Sequence, residues 1–330
     1  MKKPELIVPA RDMETISRLI KAGVDGMIVG DARFILCGLG SFTKESLQEA
    51  INLGHGHGKK VYFLVDAIMP NALLDEFHHY LQEIKHLPFD GMRVSDLGAY
   101  RLIRQVLPEM KLHLVDGMML TNYETINYWA DRGIHRARLA HELTLDEVVD
   151  IKKSTKAEIE VLIHGAPLMF TSRRQLVENY LTFQKQLGKQ VTVTEGGQHL
   201  YDAERDFYYP IACNPHGTHI YGGSDACMVD DLDALVQVGV DAFYLDNFTY
   251  EEEAFIKIVE LYRVSIDLVL NDPDRYEQVK RALYMEAERW QSPNRPFDRG
   301  FYYKPTIYKN KSGDEHVSSE SKLDKNKENA

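Results

Sequence analysis

Cysteine is scarce in this chain of 330 residues. The three cysteines, Cys37, Cys213 and Cys227, cannot close a complete disulfide set, and their spacing fits no zinc motif. They read as reduced thiols of a cytoplasmic protein, with Cys37 and Cys213 buried or idle rather than nucleophilic. No apolar run approaches the roughly 20 residues of a membrane-spanning helix. The run Leu6-Ile7-Val8 behind Met1-Lys2-Lys3 is too short for a signal-peptide core and reads as a first strand. A basic surplus is missing too. The net charge is −11, and residues 309–330 balance five lysines against five acids, so the excess lies on residues 1–308. Such a body does not attract DNA, or any phosphate backbone, by bulk charge; an RNA would need a local basic patch or a partner. Also absent are a Ser-His-Asp phrase, a His-Glu-x-x-His helix and a Gly-Lys-Thr phosphate loop, and Gly38-Leu-Gly40 is only a fragment of a dinucleotide fingerprint.

What is present is regular alternation. Hydrophobic residues make up 44% and charged residues 27%, enough for a sizeable core. Eight short β-like runs stand out: 5–8, 26–30, 60–66, 91–95, 112–116, 135–139, 159–164 and 242–246. Amphipathic segments at 13–22, 44–53, 72–84, 99–106, 123–130 and 145–152 separate the early ones. Strand then helix, eight times, predicts a closed (β/α)8 TIM-like barrel over residues 1–308. The phrases Ala22-Gly-Val-Asp-Gly26, Pro88-Phe-Asp-Gly91, Asp131-Arg-Gly-Ile134 and Val238-Gly-Val-Asp-Ala242 repeat at the helix-to-strand turns. Thr144 with Glu147 forms a helix-capping pattern. The seventh and eighth runs are too far apart for one crossover, so residues 166–233 read as a large insertion with a helix at 175–186 and β-like runs at 190–194, 198–201 and 219–221. Residues 250–290 read as terminal helices. The Lys/Ser/Glu/Asp/Asn-rich stretch 309–330 reads as a disordered tail.

Several phrases carry more than a fold. They include Glu5-Leu-Ile-Val-Pro-Ala10, Gly58-Lys-Lys-Val-Tyr62, Arg138-Leu-Ala-His-Glu-Leu-Thr-Leu-Asp-Glu147, and Ile159-Glu-Val-Leu-Ile-His-Gly-Ala166 followed by Ser172-Arg-Arg174. His216-Gly-Thr-His-Ile-Tyr221 and Ser224-Asp-Ala-Cys227 complete the set. Together they resemble peptidase family U32 over roughly residues 5–305. The resemblance implies a four-cysteine iron–sulfur site, from which this chain departs. Leu168 and Gln175 stand at the first two cysteine positions, nothing matches the third, and only Cys227 matches the fourth. One thiolate cannot hold such a cluster, so none is expected in this chain. Arg11 and Asp116-Gly117-Met118 are further departures.

The candidate site residues cluster at strand ends, where a barrel gathers its active groups. Glu142, after the sixth strand, is a candidate base or substrate ligand; the plainer reading is a loop acid that caps a helix or pairs with Arg138. His164 ends the seventh strand and is the second catalytic candidate, against a histidine bonded to nearby backbone. Glu160, four residues earlier, should face the same side by period two and serve as a buried partner. Arg138, Arg173, Arg174, Asp66 and Asp246 are candidate substrate-binding residues, the arginines for carboxylate or phosphate. The pairs His216/His219, His55/His57 and His78/His79 read as loop or surface histidines, so no metal site is expected.

The resemblance implies three functions. The leading one is tRNA wobble-uridine hydroxylation, with this chain as the cluster-free partner of a cluster-bearing paralogue and with prephenate in the pathway. The others are a collagenase-like U32 peptidase, for which no activated nucleophile is evident, and a non-catalytic assembly subunit.

Overall fold

The computed structural model describes residues 2–36, 40–115, 120–188, 198–204 and 207–304, plus 308–309 and 315–316. Cys37, residues 116–118 and the predicted run 190–194 lie outside these. So does the predicted tail, apart from an antiparallel pairing of Tyr308–Lys309 with Glu315–His316.

All eight predicted barrel strands form. They are β1 (Glu5–Pro9), β2 (Gly26–Val29), β3 (Lys60–Val65), β4 (Gly91–Val94), β5 (Leu112–Leu114), β6 (Ile134–Arg138), β7 (Glu158–Gly165) and, far downstream, β13 (Ala242–Leu245). Each pairs in parallel with the next, and β13 closes the ring between β7 and β1. The helices between them are α1 (Met13–Ala22), α2 (Lys44–Gly56), α3 (Asn71–Ile84), α4 (Leu97–Val106), α5 (Tyr123–Ala130) and α6 (Leu145–Ser154). Strand periodicity sorts the apolar residues. Ile7, Ile28, Tyr62, Leu64 and Ala242 cluster inside the ring. Leu6, Val8, Met27, Val61, Phe63 and Phe243 belong to the larger core between ring and helices.

The repeated helix-to-strand phrase has a mechanical role. Its aspartate accepts a backbone N–H from the neighbouring strand: Asp25 from Leu6 (3.0 Å), Asp90 from Val61 (2.8 Å) and Asp241 from Ile159 (2.8 Å). The glycine before two of them, Gly23 and Gly239, ends its helix with φ of 90° and 82°, the left-handed region that glycine enters without strain. Thr144 and Glu147 form the expected capping box on α6.

The insertion holds β8 (Leu168–Ser172), α7 (Leu176–Gln186), β9 (Gln198–Asp202), β10 (Phe207–Asn214) and β11 (Gly217–Tyr221), with an antiparallel sheet in the order β8-β11-β10-β9. Of these, β8 and β10 escape the sequence reading; Pro210 in mid-strand masks β10. The insertion also ends earlier than residue 233. β12 (Asp225–Cys227) returns to pair antiparallel with the end of β7, and α8 (Leu232–Val238) is the helix of the last barrel unit. Then follow α9 (Glu252–Asn271), α10 (Pro273–Arg289) and the short β14 (Phe297–Asp298), which pairs with β12.

Candidate active site at the barrel mouth

The inside of the ring is charged, in layers. At the floor Arg136 reaches Glu5 (2.9 Å) and donates from Nε to Glu158 (2.9 Å), while the Tyr62 hydroxyl donates to Glu5 (2.9 Å). One layer up, Arg93 of β4 donates twice to Glu160 of β7, at 2.8 and 2.5 Å, both side chains being fully buried. Burial opposes charge on Glu160, but Arg93, with Arg138 and Arg136 behind it, holds the carboxyl below its usual range.

Above that layer, at the carboxyl ends of the strands, lies a cavity of about 270 Å³. Asp66, Arg93, Ser95 and Arg138 line it from β3, β4 and β6, and Tyr244, Asp246 and Asn247 from the end of β13; Leu168, Thr171 and Tyr221 wall it from the insertion. The Arg138 guanidinium lies 4.8 Å over the Tyr244 ring, and among the described residues its one hydrogen bond goes to the Val115 carbonyl at 3.3 Å. Among the described residues most of its donors have no partner. Two more polar atoms of the lining, Arg93 Nε and Asn247 Oδ1, are buried with no hydrogen-bond partner among the described residues. Unsatisfied buried atoms converging on one space mark a binding site. Asp66 accepts from the Leu36 N–H (2.7 Å) and Asp246 from the Tyr244 hydroxyl (3.0 Å). Burial nonetheless raises the pKa of both carboxyls above the ordinary carboxylate value.

The predicted site residues divide. Asp66, Asp246 and Arg138 meet in the cavity. Glu142 stands exposed on the loop after β6; its neighbour His141 lines the cavity and Glu142 does not. Arg173 and Arg174 are exposed just beyond β8, outside the lining. The expectation that His164 shares the inner face with Glu160 is wrong. The register between β7 and β13 slips at one place, Tyr244 facing Leu162 but Leu245 facing His164. This bulge inverts the alternation, so His164 points outward into a fully buried aromatic nest. There its ring nitrogens meet the hydroxyls of Tyr250 (2.8 Å) and Tyr262 (3.2 Å), and burial lowers its pKa to about 3. It is a wall element, not an acid–base group of the cavity. Of the histidine pairs, His55 meets Asp90, His57 the Leu53 carbonyl and His216 the Ala32 carbonyl, whereas His219, expected in a loop or at the surface, is fully buried in β11. His78 and His79 are both exposed on α3.

Sequence reasoning misses Arg93, Thr171 and Tyr221. A lone arginine inside the apolar run Gly91–Val94 is the one signal that was readable; Thr171 and Tyr221 arrive through the insertion, whose pairing no local pattern reveals.

A family model for peptidase family U32 matches residues 11–311. The chain belongs to this family. The U32 chain is 37% identical over 309 residues to tRNA hydroxylation protein P2 of Bacillus subtilis, covering 93% of this chain and 100% of that one. It is 24% identical over 292 residues to tRNA hydroxylation protein P1 of the same organism, covering 86% and 67%. It is 27% identical over 310 residues to tRNA hydroxylation protein P of Escherichia coli, covering 81% and 68%.

The residues at the family's cluster positions do not fit four-thiolate ligation. Leu168 is a cavity wall, and Gln175 donates to the Asn214 carbonyl at 2.7 Å. Cys227 is buried under the Tyr262 hydroxyl (3.8 Å), and burial pushes its thiol up to about 12. Such a group stays protonated and is a poor ligand. Among the described residues no group of three or more His, Cys, Asp or Glu side chains is placed to hold a metal ion, and no helix is long and apolar enough to cross a membrane.

Proposed function

We propose that this chain acts in tRNA modification, in the hydroxylation of a wobble uridine, as a cluster-free subunit beside a cluster-bearing chain of the same family. The observation that carries the reading is the 37% identity to tRNA hydroxylation protein P2 along that protein's entire length. Two distinct U32 proteins of one organism carry this function in their names, P1 and P2, which supports a paired arrangement. The cavity suits the chemistry. Arg138 donates to carbonyl or carboxylate oxygens of the bound substrate, and Asp66 and Asp246 take hydrogen bonds from its hydroxyl groups. Arg173 and Arg174, exposed beside the mouth, contact tRNA phosphates, and Glu142 meets what crosses the rim.

Nucleoside mass spectrometry of tRNA from a deletion strain tests this. Loss of wobble 5-hydroxyuridine, restored by the gene, is the expected result; an unchanged level removes the proposal.

A further inference from the structure

The wall of the cavity formed by the insertion contains a hydrogen-bond chain that fixes a proton. Thr171 of β8 lines the cavity, and His219 lies directly across from it on β11. The Thr171 hydroxyl is 2.5 Å from His219 Nδ1, and His219 Nε2 is 3.1 Å from Asn214 Oδ1.

Which atom donates at each link can be worked out from the far end. Asn214 Nδ2 donates to the Leu36 carbonyl at 2.6 Å, and Asn214 Oδ1 accepts from the His216 N–H at 2.9 Å. These two contacts set the orientation of the amide, so Oδ1 faces His219 as an acceptor. His219 Nε2 must then carry a hydrogen. The ring is fully buried with no carboxylate bonded to it, and burial, with His216 nearby, lowers its pKa to about 4. A neutral ring with hydrogen on Nε2 has a bare Nδ1, which accepts the Thr171 proton. Thr171 has thereby spent its only donor inward. Thr171 lines the cavity, so any hydrogen bond its oxygen makes there is made as an acceptor.

We propose that Thr171 is a specificity residue that offers a permanent hydrogen-bond acceptor to the imino N–H of a uracil ring, and so selects uridine over cytidine. This rests on the tRNA reading above. Uracil presents carbonyl, N–H, carbonyl along its pairing edge. The N–H meets Thr171, while the donors of Arg138 and Arg93 Nε that have no partner among the described residues face the carbonyls. Cytosine carries a bare N3 at the same place, and two acceptors facing each other in a buried site repel. Asn214 and His219 act through Thr171 as positioning residues.

Two measurements test it on the full chain. In the first, long-range ¹H–¹⁵N spectra of histidine-labelled protein should show His219 neutral with the hydrogen on Nε2; the Nδ1–H form or an imidazolium overturns the proposal. In the second, anticodon stem-loop RNAs with uridine or cytidine at the wobble position are compared for binding. The wild type should favour uridine. Thr171→Val, which keeps the shape and removes the oxygen, should shrink the preference about tenfold or more, while Thr171→Ser retains it. Melting temperatures check that each variant is folded. A uridine preference that survives in Thr171→Val overturns this inference and leaves the functional reading standing. A wild type with no preference, from a gene whose deletion leaves wobble hydroxylation intact, removes both.

Discussion

Arg93 and Glu160 meet inside the closed ring, strand four to strand seven, through two hydrogen bonds of 2.8 and 2.5 Å with neither side chain exposed. The pair forms the floor of the cavity, because Arg93 also lines it. Removing one partner leaves a buried charge without compensation. Glu160→Leu should therefore cost about 3–5 kcal/mol in urea unfolding. Replacing both residues by hydrophobic ones of similar volume should cost much less. Equal losses in the single and double variants would show that the two residues are not coupled.

Acid should weaken the fold through His164. Its folded pKa of about 3 lies below the ordinary histidine value, so the unfolded chain binds protons more tightly. Its contribution is therefore complete above about pH 6.5 and declines as pH falls toward 3. At pH 5 the loss from this ring alone is on the order of 2 kcal/mol relative to pH 8. The groups bonded to it, the Tyr250 and Tyr262 hydroxyls, are kept neutral by burial, and the nearest carboxyl, Asp225, reaches the ring only through Tyr250. His164→Gln should flatten the difference in unfolding free energy between these two pH values. A variant that keeps the wild-type difference would refute the assignment.

Activity should depend on the cavity more than on its rim. Arg138→Met removes the guanidinium that lines the cavity and should abolish restoration of wobble hydroxylation in the deletion strain without unfolding the protein. Glu142→Ala, at an exposed position outside the lining, should reduce it only modestly. The reverse ranking, read by the same nucleoside measurement, would move the chemistry out to the loop.

Much of this was legible in the sequence, for identifiable reasons. The eight strands repeat one local unit with its own periodicity, and three of the turns carry the aspartate, so Asp66 and Asp246 could be placed at strand ends. His164 was misplaced because parity counting assumes an unbroken ladder, and one bulged residue inverts it. Arg93 was passed over inside an apolar strand, since its partner lies 67 positions away. Thr171 and His219 become neighbours only through the pairing of β8 with β11, across 48 positions with no local signature.

The eighth strand of the ring is also its last to be made. While β13 is still inside the ribosome, the preceding seven strands can form only an open sheet, with the backbone of β1 bare at one edge and that of β7 at the other. The nascent chain must shelter both edges through the synthesis of the whole insertion. β12 emerges just ahead of β13 and grips the far end of β7 from the opposite direction. Because His164 pairs with Cys227 on one side and Leu245 on the other, β12 steadies the tip of β7 from the side away from the gap, and Ala242–Leu245 finds its own edge open to complete the circle.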